Sequence, residues 1–356
     1  MKRALTFALA AFAAMLFAAS AAQAADKMPW QDTSLTFEQR AKDLVSRLTN
    51  EEKFSLLVET EEAIPRLGIP AYYFGNEALH GVVRPGPFTV FPQSIALSST
   101  WDPDLILNIA TAISDEARGK NNSFDGKMQC LYCGLLVFWS PTVNMARDPR
   151  WGRTPETYGE DPYLTGQIGL RFVRGLQGND KRYIKVVSTP KHYAANNEDH
   201  NRDRCNARIS ERALREYYLP AYKVLVQQGN AQSIMGAYNA INGVPCNANK
   251  KLLIDILRKE WGFNGYVVTD CGALSNLIYA HKYVNDNKEA AAAGLNNGVD
   301  LECGGAKILK VGTPEALKAG LVTQDTVDNA VYEILRARFR LGMFDPPEMV
   351  PYTKIP

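Results

Sequence analysis

Along the chain, two rhythms of apolar residues alternate. Leu135–Ser140, Lys185–Thr189, Ser233–Ala237 and Gly265–Thr269 are short runs rich in β-branched or aromatic residues, several of them continuously apolar. Strands buried on both faces have that character. Ala71–Gly75, Ser94–Leu97 and Val299–Leu301 are read as further strands. Between the runs lie amphipathic helical segments with legible starts. Thr36-x-x-Gln39 and Thr49-x-x-Glu52 fit capping boxes. Asp102-Pro103, Asp161-Pro162 and Thr313-Pro314 each place an acceptor at the N-cap and Pro in the first turn. From Ser210, the positions Leu214, Tyr217, Tyr218, Ala221, Val224 and Leu225 keep helical spacing until Gly229. A last helix is expected over Asp325–Leu341, with Val327, Val331, Ile334 and Leu335 on one face. Regular strand–helix alternation predicts an α/β fold with a parallel sheet, and a single-domain TIM-type (β/α)8-like barrel fits best. No Gly-rich dinucleotide fingerprint follows any strand, which argues against a doubly wound sheet.

The first segment does not belong to that pattern. Lys2 and Arg3 precede an apolar run from Ala4 to Ala19, and Ala22-Gln23-Ala24 is a small-x-small site. This reads as a signal peptide over 1–24 and predicts export, to a periplasm or the exterior. The run is shorter than the ~20 residues a membrane span needs. The remaining chain divides into 25–345 as the barrel and 346–356 as a linker stub. With 40 Lys+Arg against 38 Asp+Glu among 356 residues, no basic footprint for nucleic acid exists. Six cysteines lie in the exported part, an even number that permits disulfides. Cys205 and Cys246, on loops after adjacent strand ends, are the candidate pair. Cys130-x-x-Cys133 has no second such motif, so it is read as a disulfide or idle thiols rather than zinc or redox chemistry.

In such barrels, chemistry sits on loops leaving the strand C-termini. Those positions carry Asn76-Glu77-Ala78-Leu79-His80, Arg147 to Arg153, Lys191-His192-Tyr193, Asn196 to Arg202, Met235, Tyr238-Asn239 and Thr269-Asp270-Cys271. Convergent Lys, Arg, Glu and Asn suit a hydroxyl-rich ligand such as a sugar. A rigidly held carboxylate, Asp270, is able to attack an anomeric carbon, with Tyr238 expected to hydrogen-bond it. Trp139 and Trp151 are read as core before sugar platforms, and His80 and His281 as structural. Arg147, Arg150 and Arg153 with Glu156, Glu160 and Asp161 also fit a structural ion-pair knot. His192, Glu198, Asp199 and His200 lack helical metal-ligand spacing, so no metal and no cofactor are expected.

The runs Asn76-Glu77-Ala78-Leu79-His80-Gly81, Phe91-Pro92-Gln93, Arg147 through Pro162, Lys191-His192-Tyr193-Ala194, Ser233 through Gly243 and Gly265 through Cys271 resemble glycoside hydrolase family 3. The resemblance extends over essentially the whole exported chain, and it implies a barrel domain of a retaining exo-β-glycosidase. It implies Asp270 as nucleophile and Glu77 as the acid holding the outer sugar hydroxyls. Arg153, Lys191, His192 and Arg202 are implied as ring-hydroxyl binders, and Met235 and Tyr238 as the floor. Cys271 after the nucleophile, where many β-glucosidases have Trp, resembles the β-xylosidase branch. Asn196-Asn197 through Asn201-Arg202 and Ser210 through Glu216 resemble the β-glucosidase branch. The family's single-barrel N-acetylglucosaminidases carry a His–Asp acid/base after a Pro-Gly-His-Gly run that is absent here, so His200 and Asp203 are not given that role.

The expected partner is a β-linked oligosaccharide, with xylosides preferred to glucosides. The alternatives are a β-glucosidase, an inactive carbohydrate-binding barrel and a Schiff-base lyase using Lys191. In two-domain relatives the resemblance puts the proton-donating Glu on a following α/β domain. With only Glu77, Glu198 and Glu302 as stand-ins, this chain is expected to be an incomplete glycosidase.

Overall fold

In the computed structural model, which describes residues 28–124 and 134–356, most of the predicted caps do start a helix. Thr36 and Thr49 close capping boxes on helices Phe37–Arg47 and Asn50–Ser55. The Asp102 and Asp161 carboxylates accept first-turn amides of helices Pro103–Asn122 and Pro162–Gln177, each with Pro where no N–H is needed. The last long helix spans Gln324–Arg340 and buries Val327, Val331, Ile334 and Leu335 completely. The leader Met1–Ala24 and the Cys130-x-x-Cys133 motif lie outside the described residues.

Three of these local readings need correction. Ser94–Leu97 is not a strand but part of a short helix, Ser94–Ser98. So brief an apolar run carries no usable period, and Ala96 and Leu97 favour helix. Thr313-Pro314 starts nothing, because helix Ile308–Lys318 runs through it with Pro314 inside. That helix is begun from elsewhere: the Glu302 carboxylate accepts the Leu309 amide at 2.7 Å. The stretch after Ser210 divides into Glu211–Ala213, a π-turn Leu214–Tyr218 and helix Pro220–Gln227. Pro220 has no N–H to donate, and the Leu219 N–H reaches back five residues to the Leu214 carbonyl at 3.1 Å.

The strands lie at the centre. Val137–Phe138 pairs in parallel with Val187–Ser188, and Ser233–Gly236 in parallel with Tyr266–Thr269. Single parallel bridges extend the pattern from Tyr193 to Gly236, Val268 to Leu301 and Val58 to Glu302. Every residue of the two four-residue strands is buried, as helix-covered parallel strands must be. Among the described residues the strands do not pair into one closed eight-stranded sheet. The paired strands fall into four small sheets among the described residues, and Tyr72–Tyr73 runs antiparallel to Thr60–Glu61. A parallel pair needs a crossover of roughly a dozen residues, usually helical. Here the link folds straight back, closed by an Ile64–Ile69 bridge. Val299–Leu301 contributes only its Leu301 bridge. A small sheet absent from the sequence reading joins Asn206–Ala207, Ala240–Ile241 and Val244–Pro245. Its hairpin turns on Asn242 and Gly243, both at positive φ, as a two-residue type I′ turn requires.

The disulfide also differs from expectation. Cys271 is bonded to Cys303, with Cα atoms 4.4 Å apart, whereas Cys205 and Cys246 are free thiols. Adjacent strand ends bring loops together without aiming their side chains. The Cys246 thiol is buried and points at the Ala194 carbonyl, 3.7 Å away. Cys271 and Cys303 come just after segments that touch directly through the Val268–Leu301 bridge.

Candidate active site

Asp270, Glu77, Arg153, Lys191, His192, Arg202, Met235 and Tyr238 all line one cavity of about 510 Å³. The strands bring them together. Asp270 is the residue after Tyr266–Thr269, and its N–H donates to the Gly236 carbonyl at 3.0 Å. Lys191, His192 and Met235 sit on two neighbouring segments, where the Tyr193 N–H donates to the Met235 carbonyl at 2.8 Å.

Asp270 is almost fully buried, at 8% exposure. Its Oδ1 accepts the Cys271 N–H at 2.8 Å, and its Oδ2 has no hydrogen-bond partner. Burial pushes its pKa up, while Lys191, the Cys271 amide, Arg153 and Tyr238 pull it back toward the ionised form. The Tyr238 hydroxyl, expected on the carboxylate itself, donates to the Cys271 carbonyl at 2.8 Å. That acceptor is one residue along the same loop, so the ring still stands beside Asp270.

His192 lies 3.6 Å from Asp270 Oδ2 through its Nε2, but this is not an ion pair. Burial first, and then the charges of Arg153, Lys191 and Arg202, hold the imidazole well below its ordinary pKa, so it is neutral. The hydrogen-bond pattern sets the tautomer. Nδ1 faces the Asn144 side-chain oxygen at 3.0 Å and takes the proton, while Nε2 accepts from Arg153 Nη2 at 3.2 Å. Asn144 also donates to the His192 carbonyl at 2.9 Å, which the Tyr222 hydroxyl reaches at 2.7 Å. The imidazole is therefore fixed at Nδ1 by Asn144, outside the cavity, and at Nε2 by Arg153, which lines it.

The other charges are cross-linked. Lys191 Nζ bonds Glu77 Oε1, and the Ser140 hydroxyl reaches Glu77 Oε2 at 3.4 Å. Burial raises the Glu77 pKa, and Lys191 opposes that. Arg153 grips Glu156 with two bonds, 2.9 and 2.8 Å. The Arg202 guanidinium lies over the Tyr238 ring, 4.9 Å from its centre. Asp199 Oδ2 accepts the Gly152 N–H at 2.8 Å and ties two loops together over the cavity.

Trp139, Gly152, Glu156, Asp199 and Cys271 also line the space. Gly152, Asp199 and Cys271 fall within the strand-end runs read from the sequence, but none of the five is given a sugar-binding or catalytic role there, Trp139 being read as core first. Glu156 is legible there as the partner of Arg153 three residues earlier, and Trp139 as an aromatic at a strand end. Gly75 makes room for that indole: at φ 118° it has a conformation suited to Gly, and a Cβ there meets the Trp139 ring at 2.0 Å. Other candidates lie elsewhere. Arg147 stacks beside Tyr217 and Tyr218, and Arg150 pairs with Asp148 on the surface. His80 and His281 bond the Phe91 and Tyr238 carbonyls, at 2.9 and 2.8 Å. Glu198 caps the amides of His200 and Asn201, and Glu302 is fully buried, so neither lines the cavity.

With that geometry in view, the likenesses are informative. The family model described as glycosyl hydrolase family 3 N terminal domain matches residues 45–337. A xylan 1,4-β-xylosidase of Xylanibacter ruminicola is 40% identical over 93% of this chain and 39% of its own length. A probable β-D-xylosidase of Arabidopsis thaliana is 38% identical over 91% of this chain and 44% of its own. This chain thus spans less than half the length of those relatives. A solved family 3 exo-β-xylosidase, bound to a xylobiose aziridine probe, superposes with a TM-score of 0.86. It is 34% identical and covers 92% of this chain and 43% of its own. A β-glucosidase from Listeria innocua bound to isofagomine has a TM-score of 0.75 at 27% identity, over 88% of this chain and 47% of its own. The chain belongs to glycosyl hydrolase family 3 and carries that family's N-terminal domain.

Proposed function

We propose that this chain forms the sugar-binding and nucleophile-bearing part of a retaining exo-β-glycosidase, acting on β-xylosides in preference to β-glucosides. The observation that carries the reading is the state of Asp270. One of its oxygens is fixed by a backbone amide, and the other has no hydrogen-bond partner. Around it stand Lys191, Arg153 and a neutral His192, which serve as donors or acceptors to ring hydroxyls. Attack of the free oxygen on an anomeric carbon breaks the glycosidic C–O bond, releases the aglycone through its oxygen and gives a glycosyl ester, which water then cleaves to the free sugar and the Asp270 carboxylate. We also read the ring of parallel contacts as a barrel of the (β/α) type.

Two features support xylose. The similar proteins at about 40% identity are named xylosidases. The Cys271–Cys303 disulfide stands directly after Asp270, and Cys271 lines the cavity together with the long carboxylate Glu77. Both narrow the space into which a glucoside's hydroxymethyl group extends. Such exclusion is typically worth ~1–3 kcal/mol. The same disulfide supports export to an oxidising compartment, in line with the leader at 1–24.

The leaving-group proton is assigned to none of the described carboxyl groups. Glu77 is bound to Lys191, Glu156 to Arg153 and Asp199 to the Gly152 amide. Hence dinitrophenyl xyloside, whose leaving group needs no proton, is expected to be turned over far better than xylobiose. The deciding experiment labels the chain with a 2-deoxy-2-fluoro xyloside and maps the modified peptide. Label on Thr269-Asp270-Cys271, and a higher kcat/KM for aryl xyloside than aryl glucoside, are expected. Label on another carboxylate, or binding with no turnover of any aryl glycoside, removes the proposal.

A further inference from the structure

At the opposite end from Asp270, a second cavity of about 390 Å³ opens among residues that precede the strands. Lys181 and Arg182 stand before Val187–Ser188, and Asn264 stands before Tyr266–Thr269. Arg336 and Arg340 come from the end of helix Gln324–Arg340. Ser34, Thr36 and Phe37 bring the start of helix Phe37–Arg47 to the same space. Four cations therefore line it, against Glu38 as the one carboxylate in its described lining.

Three of these cations are held in place. The Arg336 side chain is only 12% exposed and is pinned to Glu333 at 2.5 Å. Arg182 donates to the Thr33 carbonyl at 2.8 Å and lies 4.9 Å from the centre of the Phe37 ring. Arg340 donates through Nη1 to the neutral Gln232 side-chain oxygen at 2.6 Å, which leaves its charge unanswered there. Burial, and then the neighbouring charge of Arg336, hold Arg340 below the usual guanidinium range, with Glu38 in the same lining opposing them. Setting Glu38 and Glu333 against the four cations leaves two positive charges in one half-enclosed wall. The first turn of helix Phe37–Arg47 adds its partial positive charge; Thr36 caps only the Gln39 amide of that turn.

We propose that this cavity binds a dianionic oxyanion of the phosphate or sulfate class, free or as the monoester of a small organic group. Guanidinium groups match pairs of such oxygens through parallel N–H donors, and a helix N-terminus supplies backbone N–H groups to others. A carboxylate neutralises only half the charge. The cavity is larger than a bare phosphate, which leaves room for the organic part of an ester.

Calorimetric titration of the full chain with sodium phosphate, sodium sulfate and phenyl phosphate tests the site, at ionic strength held constant with chloride. Saturable one-to-one binding with Kd on the order of 1 mM or tighter is expected. Tighter binding of phenyl phosphate identifies the ester as the ligand, and equal binding identifies the free ion. Arg340→Gln and Arg182→Gln should each weaken binding at least about tenfold. Arg171→Gln, on helix Pro162–Gln177 away from the cavity, should leave it unchanged. Circular dichroism in chloride checks that each variant is folded. Should Arg340→Gln fail to fold, Lys181→Gln/Arg182→Gln at the exposed rim carries the test. The proposal is overturned by the absence of saturable binding up to about 50 mM, by acetate binding as tightly as phosphate, or by undiminished affinity in the folded arginine variants.

Discussion

Where the strands begin, Arg40 meets Asp345 and Arg338 meets Glu61 with no side-chain surface exposed on either partner. Beside them Arg118, also buried, donates to the carbonyls of Lys185, Ile184 and Leu341. Where the strands end, Lys191 meets Glu77 and Arg153 meets Glu156, but around an open volume. The residue types are the same at both ends. At the closed end the paired side chains expose no surface at all, and the pairs join segments 277 and 305 positions apart in sequence. That arrangement ties the first helices to the last. At the open end the pairs hold one another in position around a cavity, and the partnerless Asp270 Oδ2 belongs to a residue lining it, whereas Glu61 Oε1 at the closed end also lacks a hydrogen-bond partner but lies away from that cavity. Burial of charge alone thus does not mark a site; burial beside reachable space does.

The largest expected effect separates the ends by chemistry. Asp270→Asn should cut dinitrophenyl xyloside hydrolysis by ~10⁴-fold or more, with thermal unfolding unchanged or raised. A variant that keeps its rate moves the nucleophile elsewhere. The reverse experiment is at the closed end. Arg338→Met leaves the Glu61 carboxylate buried without its partner and should cost about 3–5 kcal/mol in denaturant unfolding. Adding Glu61→Leu should recover much of that loss, while the folded fraction of both variants keeps its kcat. A double variant no more stable than Arg338→Met would show that the pair does more than cancel its own charges.

Glu302 lies between the two behaviours, as it is fully buried and caps a helix yet adjoins the active-site disulfide. Burial pushes its pKa from 4.5 up to about 7, partly offset by the Leu309 and Ile308 amides. Because the folded value is the higher one, the native state holds a proton that the unfolded chain has released. Its contribution is complete below about pH 4.5 and is lost as pH rises through about 7. Glu302→Gln keeps the acceptor for Leu309 but cannot ionise. Relative to the variant, the wild type should lose on the order of 3 kcal/mol between pH 4 and 8. Parallel pH–stability curves for the two proteins would refute the assignment.

The smallest effect probes how tightly the open end is held. Glu156→Gln keeps one bond to Arg153 and loses the charge, so KM for aryl xyloside should rise about tenfold with kcat little changed. An equal fall in kcat with unchanged KM would mean that Arg153 acts on the transition state rather than on the bound sugar.

The sequence by itself determined whatever depends on neighbours along the chain. The capping boxes at Thr36 and Thr49 and the Asp-Pro starts at Asp102 and Asp161 formed as read, since three or four residues decide those hydrogen bonds. The four central parallel strands and the polar residues at their ends were equally legible, because burial selects apolar runs and each strand carries its next few residues to the same end of the fold. Tertiary structure decided the rest. Helix Ile308–Lys318 starts where a carboxylate from another segment caps it, and no local pattern contains that carboxylate. Tyr72–Tyr73 lies antiparallel to Thr60–Glu61 because the link between them folds back without a crossover. The disulfide joined Cys271 to Cys303 rather than Cys205 to Cys246, since side-chain direction depends on strand register, which sequence order leaves open. Asp199 over Gly152, and the Asn144 side chain that sets the His192 tautomer, are contacts across 47 and 48 residues. Local propensity acts over a turn or two of chain, whereas a site assembled from loops of several strands is specified only when packing sets how those strands lie against one another.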